Sequence, residues 1–315
     1  MIFGNSNTSE PDKAYFILLL GQSNADGRRE PTRLQNTQYN YQGIATGYPA
    51  VRTTQPQYAA APSNVFIYRK TGVNTDDFSP DNGTWTAYEA GVTSSYDDNA
   101  FGSELACATL IQQATGRPVY IVKVAFGGTG LSNTNTASTA PGNWNPTIRY
   151  MATEFWLKRA MRDFRAANPT LRPELLCVNW AQGEQDGVEG RSQSVYEAQF
   201  AQLKTFVDRA VQGAFVIESN RKPVWNLASL KFNENASEAV INAAIDAIVA
   251  TYDDAYLCSV QPYPQGDALT PAEAAPLPVG NPNADGGLDN NHISYIGQLA
   301  MGELQFANIQ TAGLI

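Results

Sequence analysis

The sequence contains a single histidine in 315 residues, His292. That scarcity excludes every site built on two or more imidazoles, the His-Glu-x-x-His metalloproteases among them. It also leaves one side chain whose ordinary pKa lies near neutrality, so only His292 can act as an imidazole base. Cysteine is nearly as rare. Cys107, Cys177 and Cys258 stand far apart in apolar surroundings, a pattern of buried thiols rather than of a disulfide framework or a zinc site. Basic residues are outnumbered, 21 Lys and Arg against 30 Asp and Glu, for a formal net charge of -9. An anionic chain is a poor partner for nucleic acid or an anionic membrane surface, and a neutral ligand fits it better. No apolar run reaches the roughly 18 residues of a membrane span, so membrane insertion is not expected. The longest such run, Tyr15 to Leu20, has the length of a strand. The opening segment, MIFGNSNTSEPDKA, lacks a basic region followed by an apolar stretch. No secretion signal is read there, and a secreted and a cytoplasmic location both stay open.

What is present is a sizeable apolar fraction, 43% against 16% charged, which supports a packed core. Six β-rich runs stand out: Ala14 to Leu20, Asn64 to Arg69, Pro118 to Ala125, Glu174 to Trp180, Val224 to Leu230 and Ala255 to Val260. Several are apolar on both faces, as buried parallel strands are. Helical spacing marks Ser103 to Thr115, Ile148 to Ala167, Val195 to Val211, Glu238 to Tyr252 and Tyr295 to Ile309. Alternation of this kind predicts an α/β fold, a parallel sheet with helices on both sides and a ligand site at the carboxyl ends of the strands. Length alone suggests about two domains, yet such folds often use this many residues once. The expectation is one domain over 1–315, with 1–13 as an extension and long loops at 33–63, 126–146 and 261–291.

Four motifs carry chemistry. Gly21-Gln22-Ser23-Asn24 follows the first strand directly and sets Ser23 at the rim of the sheet, although Gly, Ser and Asn also suit an ordinary turn. Ala25 replaces the last glycine of the Gly-x-Ser-x-Gly elbow. Asp289-Asn290-Asn291-His292 contains the sole imidazole with an aspartate three residues earlier. That aspartate either caps a helix start or bonds Nδ1 and fixes the tautomer that takes a serine proton. Phe126-Gly127-Gly128-Thr129-Gly130 follows the third strand, where backbone N–H groups suit an oxyanion and where no nucleotide-binding pattern is present. Trp180-Ala181-Gln182-Gly183-Glu184-Gln185-Asp186 ends the fourth, and the neutral amide of Gln182 can donate to the same oxyanion. Glu184 and Asp186 read as braces for the site rather than as catalysts.

In this order, Gly-Gln-Ser-Asn, Gly-Gly-Thr, Trp-x-Gln-Gly-Glu-x-Asp and Asp-x-x-His resemble the sialate O-acetylesterase and acetylxylan esterase-like branch of the SGNH hydrolases, from about Tyr15 to the C-terminus. Phe101-Gly102-Ser103-Glu104 resembles a further segment of that family. The resemblance implies a three-layer α/β/α, flavodoxin-like fold and a serine esterase that removes O-acetyl groups from a carbohydrate. It implies Ser23 as nucleophile, His292 as base and Asp289 as its orienter. The oxyanion hole would comprise Ser23 N–H, Gly127 N–H and Gln182, with Gly128 as the alternative register. No metal or cofactor is implied. Gln22, Asn24, Gly128 and Trp144 are candidate substrate contacts, and Tyr39, Tyr41, Tyr48 and Tyr58 are further candidates for stacking on a sugar. Ala25 and Ala181 depart from the family, which often has methionine and histidine there; substrate preference is the property this touches. A general short-chain carboxylesterase and a catalytically silent glycan-binding domain are the alternatives.

The solitary imidazole yields a test by counting. Diethylpyrocarbonate is expected to modify one histidine and to remove activity in step with it, and turnover is expected to decline on the acidic side through one ionisation in the histidine range. Stoichiometric labelling of His292 with turnover intact would rule the imidazole out as the base.

Overall fold

Strand β1, Lys13–Gly21, is buried along its whole length after Lys13. Its side chains alternate between two packed faces, so neither face can turn to water. The computed structural model describes residues 12–27, 58, 62–69, 83–90, 93, 101–131, 144, 148–215, 221–230, 236–259, 293 and 295–315. In chain order β1 is followed by α1 (Ser23–Asp26), β2 (Val65–Arg69), β3 (Trp85–Ala87), α2 (Glu104–Thr115), β4 (Val119–Ala125), α3 (Ile148–Ala167) and β5 (Arg172–Ala181). Then come α4 (Glu184–Val188), α5 (Gln193–Ala214), β6 (Val224–Ala228), α6 (Ala236–Thr251), β7 (Ala255–Cys258) and α7 (Tyr295–Thr311). The strands form one seven-stranded sheet in the order β3-β2-β4-β1-β5-β6-β7. Every neighbouring pair is parallel except β2 with β3.

Helices cover both faces. On one, α3, α5 and α6 bring Leu157, Phe164, Phe200, Leu203, Ile241 and Ile245 against Phe16, Leu18 and Leu20 of β1. Phe16 lies at the centre of an aromatic cluster, with ring centroids 4.8 Å from Phe164, 5.2 Å from Tyr120 and 5.2 Å from Phe215. On the other, α2 and α7 bring Leu105, Cys107, Ile111, Leu299 and Ile309 against Tyr15 and Ile17. These two helices lie close because Gly302 presents no side chain; a Cβ there would stand 2.3 Å from Ser103 O. All three cysteines are free and buried, and burial pushes the Cys177 and Cys258 thiols up, away from the reactive thiolate.

A chain of buried amides fastens α7 to the sheet. Asn308 Nδ2 donates to Asn226 Oδ1 (2.9 Å), Asn226 Nδ2 to Asn179 Oδ1 (2.8 Å) and Asn179 Nδ2 to Gln305 Oε1 (2.9 Å). Gln305 Nε2 then donates to Ser103 Oγ at 3.2 Å. Each amide satisfies its neighbour, which is the condition for burying such groups at small cost.

The six strands expected from the sequence are present, with β6 and β7 each ending two residues earlier, at Ala228 and Cys258. The five helical segments are present too. The sequence reading missed β3, which at three residues is too short to show alternation, and the single-turn helices α1 and α4, too short to show a period. Loop 261–291 falls outside the described residues, as do most of 33–63 and 132–143 with 145–146. Among the described residues no helix is long and apolar enough to cross a membrane.

Phe16→Ala is expected to cost roughly 3–5 kcal/mol, because the hole it leaves is walled by β-strands and rings that cannot collapse into it. Chemical denaturation, read as a fall in midpoint at constant slope, measures this.

Candidate active site

Three strand ends are flush at the carboxyl edge of the sheet. Gly21 pairs with Ala125 of β4 on one side and Ala181 of β5 on the other. Phe126 N donates to Gly21 O at 2.9 Å, and Gln22 N donates to Ala181 O at 3.0 Å. Gly21 has φ +139°, and a Cβ on it would lie 2.1 Å from Ala181 O, so this crossing admits glycine alone. Ser23, Gly127 and Gln182 follow those paired residues by one or two positions, which brings three of the expected motifs to one edge.

Ser23 opens α1 and is only 9% exposed. Ala25 N and Asp26 N both donate to Gln22 O at 2.9 Å, and Gly27 N donates to Ser23 O at 3.0 Å, closing a tight turn. Among the described residues the Ser23 and Gly127 N–H groups have no acceptor, so both donors remain available. Beneath the turn lies a buried ion pair, Lys123 Nζ to Glu104 Oε1 at 3.0 Å. Lys123 also donates to Asp26 O, the carbonyl at the end of α1. Gly102 N and Tyr88 OH donate to the same Glu104 oxygen at 3.2 and 3.3 Å. Burial pushes the Glu104 carboxyl above the ordinary carboxylate range, against the opposing pull of Lys123.

Asn24 is a hub rather than a substrate contact. It is 1% exposed, and its side chain is used on both ends: Nδ2 donates to Glu184 Oε1, and Oδ1 accepts from Ile293 N at 2.9 Å. Its carbonyl accepts from Gln298 Nε2 of α7 at 3.1 Å. The expectation of a substrate contact is therefore corrected for Asn24, which has no side-chain donor or acceptor exposed to a ligand. Gln22 is also buried, and its Oε1 has no hydrogen-bond partner among the described residues.

The glycine loop is held from its far side. Thr129 Oγ1 donates to Phe126 O at 2.8 Å, Trp144 Nε1 donates to Thr129 Oγ1 at 3.1 Å, and Trp144 N donates to Gly130 O at 2.9 Å. Trp144 is fully buried, with its ring edge-on to Phe126 and Trp180. It cannot stack on a sugar, and the sequence expectation for it is corrected. Tyr58 is corrected likewise: it is 1% exposed and donates to Glu303 Oε1 of α7 at 3.0 Å. Gly128, by contrast, is exposed, with φ +68° and open space where a side chain would stand.

Gln182 Nε2 donates to Thr129 O at 3.0 Å and to Asp186 Oδ2, so both its N–H groups are engaged. Tyr196 OH donates to Gln182 O at 2.9 Å and to its Oε1 at 3.2 Å, which fixes the amide orientation. Asp186 Oδ2 also accepts from Leu131 N at 2.8 Å. Burial, reinforced by the charge of Asp186, pushes the Tyr196 phenol well up and keeps it a donor. Asp289, His292, Tyr39, Tyr41 and Tyr48 lie outside the described residues.

Sequence reasoning missed the Glu104–Lys123 pair and the ties of Leu131 and Tyr196. One signal was available: Lys123 interrupts an otherwise apolar strand, Val119-Tyr120-Ile121-Val122-Lys123-Val124-Ala125, where an unpaired ammonium would be costly.

The sequence profile of one family, described as carbohydrate esterase, sialic acid-specific acetylesterase, matches residues 13–217. No curated protein matches the chain by sequence. Among solved structures, NanS superposes with a TM-score of 0.55 at 13% identity, over 96% of this chain and 98% of that one. A protein from Arabidopsis thaliana gives 0.52 at 13% identity over the same two shares. XAC1771, a carbohydrate acetylesterase from Xanthomonas citri, gives 0.51 at 15% identity over 96% of this chain and 57% of that one. At such identities these likenesses speak for the fold alone, a mostly parallel sheet with helices on both sides. The profile covers well over half of the chain and includes Ser23, Gly127 and Gln182, and on that match the chain belongs to the sialic acid-specific acetylesterase family of carbohydrate esterases and is a carbohydrate O-acetylesterase, a carboxylic ester hydrolase.

Proposed function

We propose that the enzyme removes O-acetyl groups from a carbohydrate by a two-step acyl transfer on Ser23, with His292 as general base and Asp289 as the group that orients it. Ser23 Oγ attacks the ester carbonyl as His292 Nε2 takes its proton, and the same proton leaves with the sugar hydroxyl. Water, deprotonated by His292, then attacks the acetyl-serine and releases acetate. The observation that carries this reading is the hydrogen bond from Ile293 N to Asn24 Oδ1 at 2.9 Å. It joins the residue that follows His292 to the residue that follows Ser23, although the two lie 269 positions apart.

Ser23 N–H and Gly127 N–H supply the oxyanion hole, in keeping with their lack of an acceptor among the described residues. For Gln182 to join them as a third donor, it has to release Thr129 O or Asp186 as negative charge develops on the substrate. Its neutral amide then trades one carbonyl acceptor for an oxyanion.

Two experiments test the reading. Ser23→Ala is expected to abolish acetate release from acetylated xylan, acetylated sialic acids or bacterial polysaccharides while leaving the melting temperature within a few degrees of the parent, since no core volume changes. Equal turnover in mutant and parent would sink the nucleophile assignment, and cleavage of octanoyl esters as fast as acetyl esters would favour a general carboxylesterase. Gln182→Ala is expected to lower kcat by roughly 10²–10³, with Gln182→Glu lower still because its carboxylate would face both Asp186 and the forming oxyanion. Near-parental turnover in both variants would confine the hole to backbone donors.

A further inference from the structure

We infer that the single turn α4 sets the spacing between the nucleophile turn and the oxyanion loop, with Glu184 and Asp186 as positioning residues that each hold one of them. The inference rests on the proposed reaction for its kinetic readout but not for its geometry. Both carboxylates leave the same turn. Glu184 accepts from Asn24 Nδ2, one residue beyond Ser23, at the end of β1. Asp186 Oδ2 accepts from Leu131 N (2.8 Å) and from Gln182 Nε2, so it holds the loop that contains Gly127 at the end of β4 and also the amide beside it. The two loops otherwise follow different strands, and α4 bridges them from a third strand end, that of β5.

A clamp needs a firm base, and α4 has one. Gly183 opens it at φ +145°, where a Cβ would stand 2.8 Å from Ile241 Cγ2 of α6 and 3.0 Å from the Leu230 side chain. Gly187 N donates to Gly183 O at 2.9 Å, Glu189 N to Gln185 O at 3.0 Å and Arg191 N to Asp186 O at 3.0 Å, so the turn is closed by its own backbone. Arg191 is paired with Glu189 at 2.7 Å just beyond it. Asp186 itself is 1% exposed. Burying a carboxylate is costly unless donors replace its water, and here the replacement donors belong to the two parts that must be kept in place. The arm lengths thus become a dimension of the active site.

A clamp acts through the length of its arms rather than their charge, which separates it from an electrostatic role. Asp186→Asn keeps an acceptor oxygen at the same reach, whereas Asp186→Glu keeps the charge and lengthens the arm by about 1.5 Å, one carbon–carbon bond. The full-length enzyme and its variants are compared by kcat and KM on an acetyl ester and by hydrogen exchange over residues 126–131. Asp186→Asn is expected to hold kcat within about fivefold of the parent, while Asp186→Glu and Asp186→Ala lower it about 100-fold with KM changed by less than about threefold, since misplacement of about 1 Å is enough for such a loss. The Leu131 amide is expected to exchange at least about tenfold faster in the Glu and Ala variants and at the parental rate in the Asn variant. Glu184→Gln and Glu184→Asp are expected to split in the same sense, with the shortened arm as the slow one. Parental kcat in Asp186→Glu with a dead Asp186→Asn would overturn the clamp in favour of charge, and unchanged exchange in both Asp186→Glu and Asp186→Ala would overturn it outright. Should Asp186→Ala fail to fold, the comparison of Glu with Asn still decides. A parent without acetate release but with the expected exchange pattern would fell the proposed reaction and leave the clamp standing.

Discussion

The site depends on the flush ending of three parallel strands. Gly21 is paired with β4 on one side and β5 on the other, so β1 stays paired to its last residue; its register with β4 is continuous, and its register with β5 shifts once, between Phe16 and Ile17, before running on to Gly21. Parallel registry is rigid because each bond fixes the next, and a slip of one residue would turn every side chain of β1 to the opposite face. The serine turn, the glycine loop and the glutamine segment therefore start from one line. The sheet delivers the three segments to one edge. The absence of a side chain at Gly21 lets the serine turn fold back over Ala181 instead of continuing the strand.

Above that line the structure changes its means of cohesion. Below it, Phe16, Tyr120, Phe164 and Phe215 pack as rings in an apolar core, where any well-shaped hydrocarbon serves. Around the site the contacts are polar and buried: Lys123 with Glu104 and Asp26 O, Asn24 with Glu184 and Ile293, Gln182 with Asp186, Thr129 and Tyr196. A neutral bond of this kind adds little net stability, about 1 kcal/mol, but leaving one partner buried and unmade costs about 1–3 kcal/mol, and more where that partner is charged. That asymmetry makes them directional. Apolar packing keeps the sheet together, and the polar network fixes where the loops stand on it.

Much of this was legible in the sequence, for identifiable reasons. The apolar runs of β1, β4 and β5 and the helical spacing of α3 and α5 are long enough to declare their period, and Ser23, Gly127 and Gln182 stood out as candidates because each follows such a run. The three residues of β3 and the single turns α1 and α4 contain too little chain to show any period. Side-chain exposure was the other obstacle. Trp144, Tyr58 and Asn24 sit among loop-forming residues, where an aromatic or an amide reads as a ligand contact, yet each is buried against elements far away in sequence, Trp180, Glu303 and Glu184 respectively. Local composition does not encode those partners. Lys123 shows the converse, since a lone charge within a buried strand announces an unseen counter-ion even though it does not name Glu104.

The amides of α7 give the order of assembly a particular character. Through Gln298, Gln305 and Asn308 this helix is bonded to Asn24, to Asn179 of β5, to Ser103 beside α2 and to Asn226 of β6. These are contacts across sequence separations from 82 to 274 residues, the kind that chain entropy delays longest. During synthesis the turn that contains Ser23 leaves the ribosome early, while helix α7 emerges after all seven strands of the described sheet. Helix α7 therefore acts as a keystone: until it docks, the serine turn lacks its bonds from Gln298 and Ile293 and keeps only those to Glu184 and Lys123.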